Sequence, residues 1–165
     1  MTIEANGCRE RVSGTGVSVE NAIKKIVSDY IGDLDNIIDN IRKLLNDDTD
    51  ILTDQEIEDI MLQLPLLLYD LTDNQEVVGM QSDLSAMIYK EAYNQALQIS
   101  RGTVAEKTAA SELATMTEKI DTIIFDKSYK IIKQKISMAI EVLNAVKKIH
   151  STRLQGASLG NKTSF

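Results

Sequence analysis

Acid–base and nucleophilic catalysis need groups of matched pKa held close together, and this chain offers few candidates. It has one histidine, His150, and one cysteine, Cys8. His150 follows Lys147 and Lys148 closely. An imidazole there could act as a titrating switch, but a cation favoured by a helix C-terminus explains it more simply. Cys8 has no second cysteine to pair with in the chain. Asp47, Asp48, Asp50 and Asp54 suggest a calcium loop at first sight. An EF-hand, however, needs a central glycine and a terminal Glu, and no glycine lies between Gly32 and Gly79. These acids read as a solvated turn between helices. Gly14, Thr15 and Gly16 follow no strand and form no phosphate loop. The expectation is a protein with no catalytic residues, no metal and no cofactor.

The lysines carry more information. The net charge of −7 conceals two opposite stretches. From Asp29 to Glu76 there are fourteen carboxylates against Arg42 and Lys43; from Lys127 onward there are eight basic residues against Glu141 alone. Such asymmetry points to binding partners rather than chemistry. Projected at about 100° per residue, Lys119, Lys130, Lys133 and Lys148 share one polar sector of the last predicted helix. A stripe of this kind can follow a phosphate backbone, and it can equally be a solvated helix face. Tyr89 and Tyr93 flank Lys90, and Tyr129 adjoins Lys130. These rings could stack bases beside a cation or cap a core with a wet hydroxyl.

Helices must position these groups. The chain is 43% apolar, only 4% aromatic, and has one proline and no tryptophan, which favours an all-α fold. Residues 1–17 hold three of the eight glycines and no apolar period, and read as a flexible tail. Ser18 can cap a first helix, whose seam runs through Ile23, Val27, Tyr30, Leu34, Ile37, Ile41 and Leu44 at alternating spacings of four and three. Thr53 and Glu56 form a capping box for a second helix, which Pro65 should kink or end. Leu66, Leu67 and Leu68 follow and need burial by other helices or another subunit. A third helix should start between Asn74 and Ser82 and reach Arg101, burying Leu84, Met87, Ile88, Ala92 and Leu97, with Gly102 as its stop. Thr103 and Glu106 form a second capping box. From Thr103 to Gln155 there is neither Gly nor Pro, enough for a helix of roughly 75–80 Å. Residues 155–165 read as a second flexible tail. The predicted architecture is an elongated, oligomerising bundle of about four helices with a long C-terminal helix. A single domain spans 18–154, divided into acidic helices over 18–72 and a helix-Gly-helix block over 74–154. Glu4, Arg9, Glu10 and Arg11 stand where the apolar stretch of a signal peptide would lie, so a cytoplasmic location is expected.

Ile88 through Leu97 with Tyr89, Lys90 and Tyr93, then Arg101, Gly102, Thr103, Val104, Ala105, Glu106 and Lys107, then a long helix carrying Ser128, Tyr129, Lys130, Val146, Lys147 and Lys148, together resemble the UvsY-type recombination mediators of tailed phages. The resemblance covers roughly residues 84–154. It implies an all-helical homo-oligomer in the host cytoplasm that binds single-stranded DNA without sequence preference. Such a protein helps a RecA-like recombinase displace the single-strand-binding protein, with no catalysis of its own. The family's DNA contacts come largely from basic residues on the helix before the glycine. Here that helix carries Lys90 and Arg101.

The nucleic-acid-binding candidates are therefore Lys90, Tyr93, Arg101 and Lys107 near the glycine turn, and Lys127, Lys130 and Lys133 on the last helix. The oligomerisation candidates are Ile23, Val27, Leu34, Ile41, Leu66, Leu67, Ile136 and Leu143. The alternative expectation is a helical structural or interaction protein with no nucleic-acid role: a virion component, a scaffold, or an inhibitor whose acidic helices mimic DNA.

Overall fold

A computed structural model describes residues 3–46 and 53–160, with side chains over 16–44 and 53–156. The fold is all-α: α1 (Ile3–Asn46), α2 (Asp54–Ile99), α3 (Val104–Ala114) and α4 (Met116–Gly160), with no strand among the described residues. Asp47, Asp48 and Asp50, the acids of the predicted turn, lie outside the described residues.

α2 and α3 begin directly after the predicted caps Thr53 and Thr103, but other helix boundaries differ from those the sequence places. α1 starts at Ile3, well before the predicted cap at Ser18. α2 runs through Pro65 and absorbs the predicted third helix. Proline forfeits one ladder hydrogen bond, but Leu64 and Leu71, on either side of it, are buried and hold the helix to its neighbours. The predicted last helix is instead broken at Thr115 (φ −111°, ψ 21°). The Ser111 hydroxyl donates to the Lys107 carbonyl and the Thr115 hydroxyl to the Ser111 carbonyl, each at 2.8 Å. Such back-bonding favours bending, but Thr72, Thr122 and Thr152 make the same bond inside unbroken helix, so the hydroxyls alone do not account for the break, which neither Gly nor Pro marks. α4 then continues to Gly160, past the predicted end near Gln155.

The chain forms two units. Unit 1 is Met1–Tyr30 with Asn74–Ile132; unit 2 is Ile31–Asp73 with Lys133–Phe165. The boundary near residue 73 falls where the charge pattern changes, yet each unit takes chain from both ends.

Unit 2 has a conventional aliphatic core. Ile31, Leu34, Ile41, Ile57, Ile60, Leu64, Leu71, Ala139, Leu143 and Val146 are buried there. Its two charge classes also meet. The Lys135 ammonium donates to Asp35 at 2.5–2.7 Å, and Arg153 pairs with Asp54 at 3.1 Å. The acidic stretch and the basic stretch are therefore partners within the same unit.

Unit 1 is built differently. Its buried set is Val27, Val78, Ala96 and Ile132 with four hydroxyl residues, Ser85, Ser111, Thr115 and Ser128. Small residues let α2 and α4 approach closely. A Cβ on Gly79 would stand 3.1 Å from the Tyr129 ring. The Thr122 hydroxyl lies 3.1 Å from the Ser85 carbonyl and 2.9 Å from the Glu118 carbonyl, so the two helices share a polar tie. α1 joins through Asn74, whose side-chain amide donates to the Tyr30 carbonyl at 3.2 Å. Ile31 follows with non-helical dihedrals (φ −133°, ψ 21°), and an inserted side-chain donor is a recognised cause of such a kink.

This packing inverts the expected buried face of the third helix. Leu84, Met87 and Ile88 are exposed, while Ala92 and Leu97 are half-buried. The oligomerisation candidates invert in the opposite sense: Val27, Leu34, Ile41 and Leu143 are buried within the chain, Ile23, Leu67 and Ile136 are half-buried, and only Leu66 is exposed. A side chain already buried in its own chain has little surface left for another.

Two substitutions test this account of unit 1. Asn74→Ala removes the donor to Tyr30 and is expected to cost about 1 kcal/mol in urea unfolding. Ser128 is fully buried and its hydroxyl has no hydrogen-bond partner. Ser128→Ala should therefore be neutral or stabilise by up to about 1 kcal/mol in the same assay.

Candidate nucleic-acid interface

The candidate site is centred on the turn that joins α2 to α3, in unit 1. α2 closes with the Ser100 N–H and hydroxyl both donating to the Ala96 carbonyl, at 3.1 and 2.7 Å. Gly102 follows with φ +117°, a conformation that L side chains rarely adopt. A Cβ there would also meet the Glu106 carboxylate oxygen at 2.5 Å, so that side chain would have to move from its capping position. Thr103 then caps α3. Its hydroxyl accepts from the Glu106 N–H, and the Glu106 carboxylate accepts from the Thr103 N–H at 2.7 Å and hydroxyl at 2.9 Å. This is the capping box read in the sequence. Those donors, the Thr103 backbone N–H first, hold the Glu106 carboxyl below its ordinary pKa.

The turn fixes the backbone positions of two cations. Arg101 precedes Gly102 and is exposed; Lys107 lies in the first turn of α3 and is half-buried. Neither is paired with a carboxylate among the described residues. One helical stretch back, Lys90 is exposed and unpaired, and Tyr89 and Tyr93 stand with ring centroids 6.1 Å apart at 43°. Both tyrosines are half-buried, so they serve the packing of α2 and present only part of a ring to solvent.

The α4 lysines divide. Lys127 and Lys130 are exposed in unit 1, but Lys130 is held 2.8 Å from Asp126 one turn earlier. Lys133 is exposed and belongs to unit 2. Lys135, which the sequence did not single out, is the lysine of this stretch that binds an acid from a distant part of the chain. Its pairing was hidden because Asp35 lies a hundred residues away. Unit 1 as a whole has ten basic and twelve acidic residues, whereas unit 2 has eight and thirteen. Any phosphate contact must therefore be local, and the glycine turn of unit 1 is the better-balanced setting.

Among the described residues no group of three or more His, Cys, Asp or Glu could hold a metal ion. Nor is any helix long and apolar enough to cross a membrane.

The turn makes two predictions. Gly102→Ala should destabilise by at least about 1–2 kcal/mol, from the left-handed backbone alone, measured by thermal unfolding. The Glu106 pKa is lower folded than unfolded, so its contribution is complete above the ordinary carboxyl value of 4.5 and is lost as pH falls below it. The Thr103 and Glu106 amide resonances should report fraying there, and Glu106→Gln should abolish that pH response. No protein-family model, curated protein or solved structure matches the chain.

Proposed function

We propose that this chain is a non-enzymatic accessory protein of phage recombination and repair. It binds single-stranded DNA as a homo-oligomer and helps a RecA-like recombinase replace the single-strand-binding protein. The observation that carries the reading is the rigid glycine turn, which holds unpaired Arg101 and Lys107 on either side of a locked cap. Phosphate neutralisation is the role of these two cations, and Lys127 and Lys130 belong to the same unit; Lys133 lies in unit 2 and is a separate candidate. Tyr93 supplies partial stacking beside Lys90. The recombinase, the single-strand-binding protein and the host cytoplasm come from the resemblance to UvsY-type mediators. Weak binding per subunit becomes useful when many subunits engage one strand.

A second reading is favoured by a separate observation. The basic residues of unit 2 lie among thirteen acids, and Arg42, Lys135 and Arg153 are engaged internally. That suits a structural or interaction protein whose acidic face meets other proteins.

Fluorescence anisotropy with labelled oligo-dT across a salt series separates the two. Binding that weakens with salt is expected. In Arg101→Ala/Lys107→Ala the slope of log affinity against log salt should fall by about 1.4, at roughly 0.7 per lost phosphate contact on a single strand. Absence of binding at low salt would leave the interaction-protein reading.

A further inference from the structure

In unit 2, α2 carries a short apolar stripe that stays in water. Leu62, Leu66 and Tyr69 are 67%, 68% and 79% exposed. Their spacing of four and three is that of a heptad seam, and at 100° per residue they share a sector about 60° wide. Ile57, Ile60, Leu64 and Leu71 mark the buried face of the same helix, on roughly the opposite side. The core of the unit is therefore built without the stripe.

The charges around the stripe are of one sign. In the heptad frame Leu62 and Tyr69 take d and Leu66 takes a. Asp59 and Asp73 then fill the a positions before and after, Glu58 the flanking g and Asp70 the flanking e. All four acids are exposed, and none is ion-paired among the described residues. Asp59 accepts from the Gln55 side-chain amide at 3.1 Å. α2 has neither Lys nor Arg before Lys90. Arg153 of α4 reaches this stretch at Asp54, the first residue of the helix, and is paired there.

We propose that the stripe docks a cationic amphipathic helix of a partner protein, with apolar side chains at its a and d positions and Lys or Arg on the flanks and at the ends. Charge selects this occupant. Nucleic acid or an acidic lipid surface would meet the unpaired carboxylates of Glu58, Asp59, Asp70 and Asp73. A second copy meeting the stripe with its own stripe fails for the same reason. A parallel pair sets Asp59 against Asp59 and Asp73 against Asp73, and an antiparallel pair centred on Leu66 sets Asp59 against Asp73 twice; like charges so placed oppose association. A neutral helix would desolvate Asp59 and Asp73, which stand in line with the stripe, without compensation. A basic one pairs with them, and the Tyr69 ring offers its face to a cation. Recognition of an amphipathic helix through apolar anchors at this spacing is a recurring mode.

The surface lies in unit 2 and does not involve the glycine turn. It gives the interaction-protein reading a face and a partner chemistry, and it is independent of whether unit 1 binds DNA.

The test uses the full chain and two synthetic helical peptides, one of Leu and Lys with leucines at a and d, the other with Glu in place of Lys. Fluorescence anisotropy should show the Leu/Lys peptide binding, more weakly as salt rises, and the Leu/Glu peptide not binding. Leu62→Ser/Leu66→Ser/Tyr69→Ser should weaken binding about tenfold, and Asp59→Asn/Asp70→Asn/Asp73→Asn should weaken it and flatten its salt dependence. Leu84→Ser/Met87→Ser, on exposed α2 in unit 1, should leave it unchanged. Equal binding of the Leu/Glu peptide, no loss in either triple variant, or an equal loss in the unit 1 variant overturns the proposal. Self-association in sedimentation equilibrium that the Leu62, Leu66 and Tyr69 substitutions abolish would assign the stripe to a second copy and overturn it too. Should the Leu/Lys peptide not bind, this surface falls, while the interaction-protein reading, which rests on all the acids of unit 2, does not. Far-UV circular dichroism checks that these exposed substitutions leave the helices intact. Oligo-dT anisotropy on the Leu62, Leu66 and Tyr69 variant should match wild type, which keeps this surface and the single-strand reading apart.

Discussion

The close approach of α2 and α4 in unit 1 is the constraint on which much else depends. It rests on Gly79 under the Tyr129 ring and the Thr122 hydroxyl near the Ser85 carbonyl, with Ser128 of α4 fully buried. Helices that pack through small residues leave no room between them for leucine or methionine. The large aliphatics of the same helix must then point elsewhere, and in unit 1 they point outward. Unit 2 solves the same problem in the ordinary way, with isoleucine and leucine inside. One chain thus contains two packing regimes, and the candidate nucleic-acid interface lies in the unusual one.

This difference explains what could and could not be read from the sequence. The all-α class, the α1 seam and both capping boxes were legible, because each rests on local spacing. Val27, Leu34 and Ile41 are buried as their period requires, and the Thr103–Glu106 box forms with both of its reciprocal bonds. The buried face of α2 beyond residue 74 was not legible. Apolar periodicity identifies a stripe but does not say whether its cover is the same chain, and Leu84, Met87 and Ile88 show that here it is not. The break at Thr115 escaped for a related reason. Glycine and proline announce a break through backbone geometry, whereas hydroxyls that back-bond to helix carbonyls, as Ser111 and Thr115 do, also occur inside unbroken helix at Thr72, Thr122 and Thr152 and so give no distinct signal.

The candidate site was legible in part. Gly102 and its cap could be placed because a stop and a start signal adjoin, and Arg101 and Lys107 follow from them. The lysines of α4 could not be ranked. A helical projection treats Lys130 and Lys133 alike and says nothing about Lys135, yet Lys130 is tied to Asp126 and Lys135 to Asp35. Pairing across a hundred residues is a property of the tertiary fold. It also redefines the charge asymmetry. The acidic and basic stretches meet in unit 2, so the split along the chain does not become a split between two free surfaces there.

Charge pairing and apolar exposure are then distributed in a complementary way. Unit 2 uses Lys135–Asp35 and Arg153–Asp54 internally, and both pairs are partly solvated, worth at most about 1 kcal/mol each. They therefore orient helices more than they stabilise them, and the aliphatic core holds that unit. Unit 1 has the thinner core of small residues, and its remaining apolar surface lies outside. Along α2 in unit 1 the inner side buries Val78, Ser85 and Ala96, while Met80, Leu84, Met87 and Ile88 stay exposed, so more apolar area is left in water there than along the same helix in unit 2, and hydrophobic stabilisation scales with the apolar area removed from water.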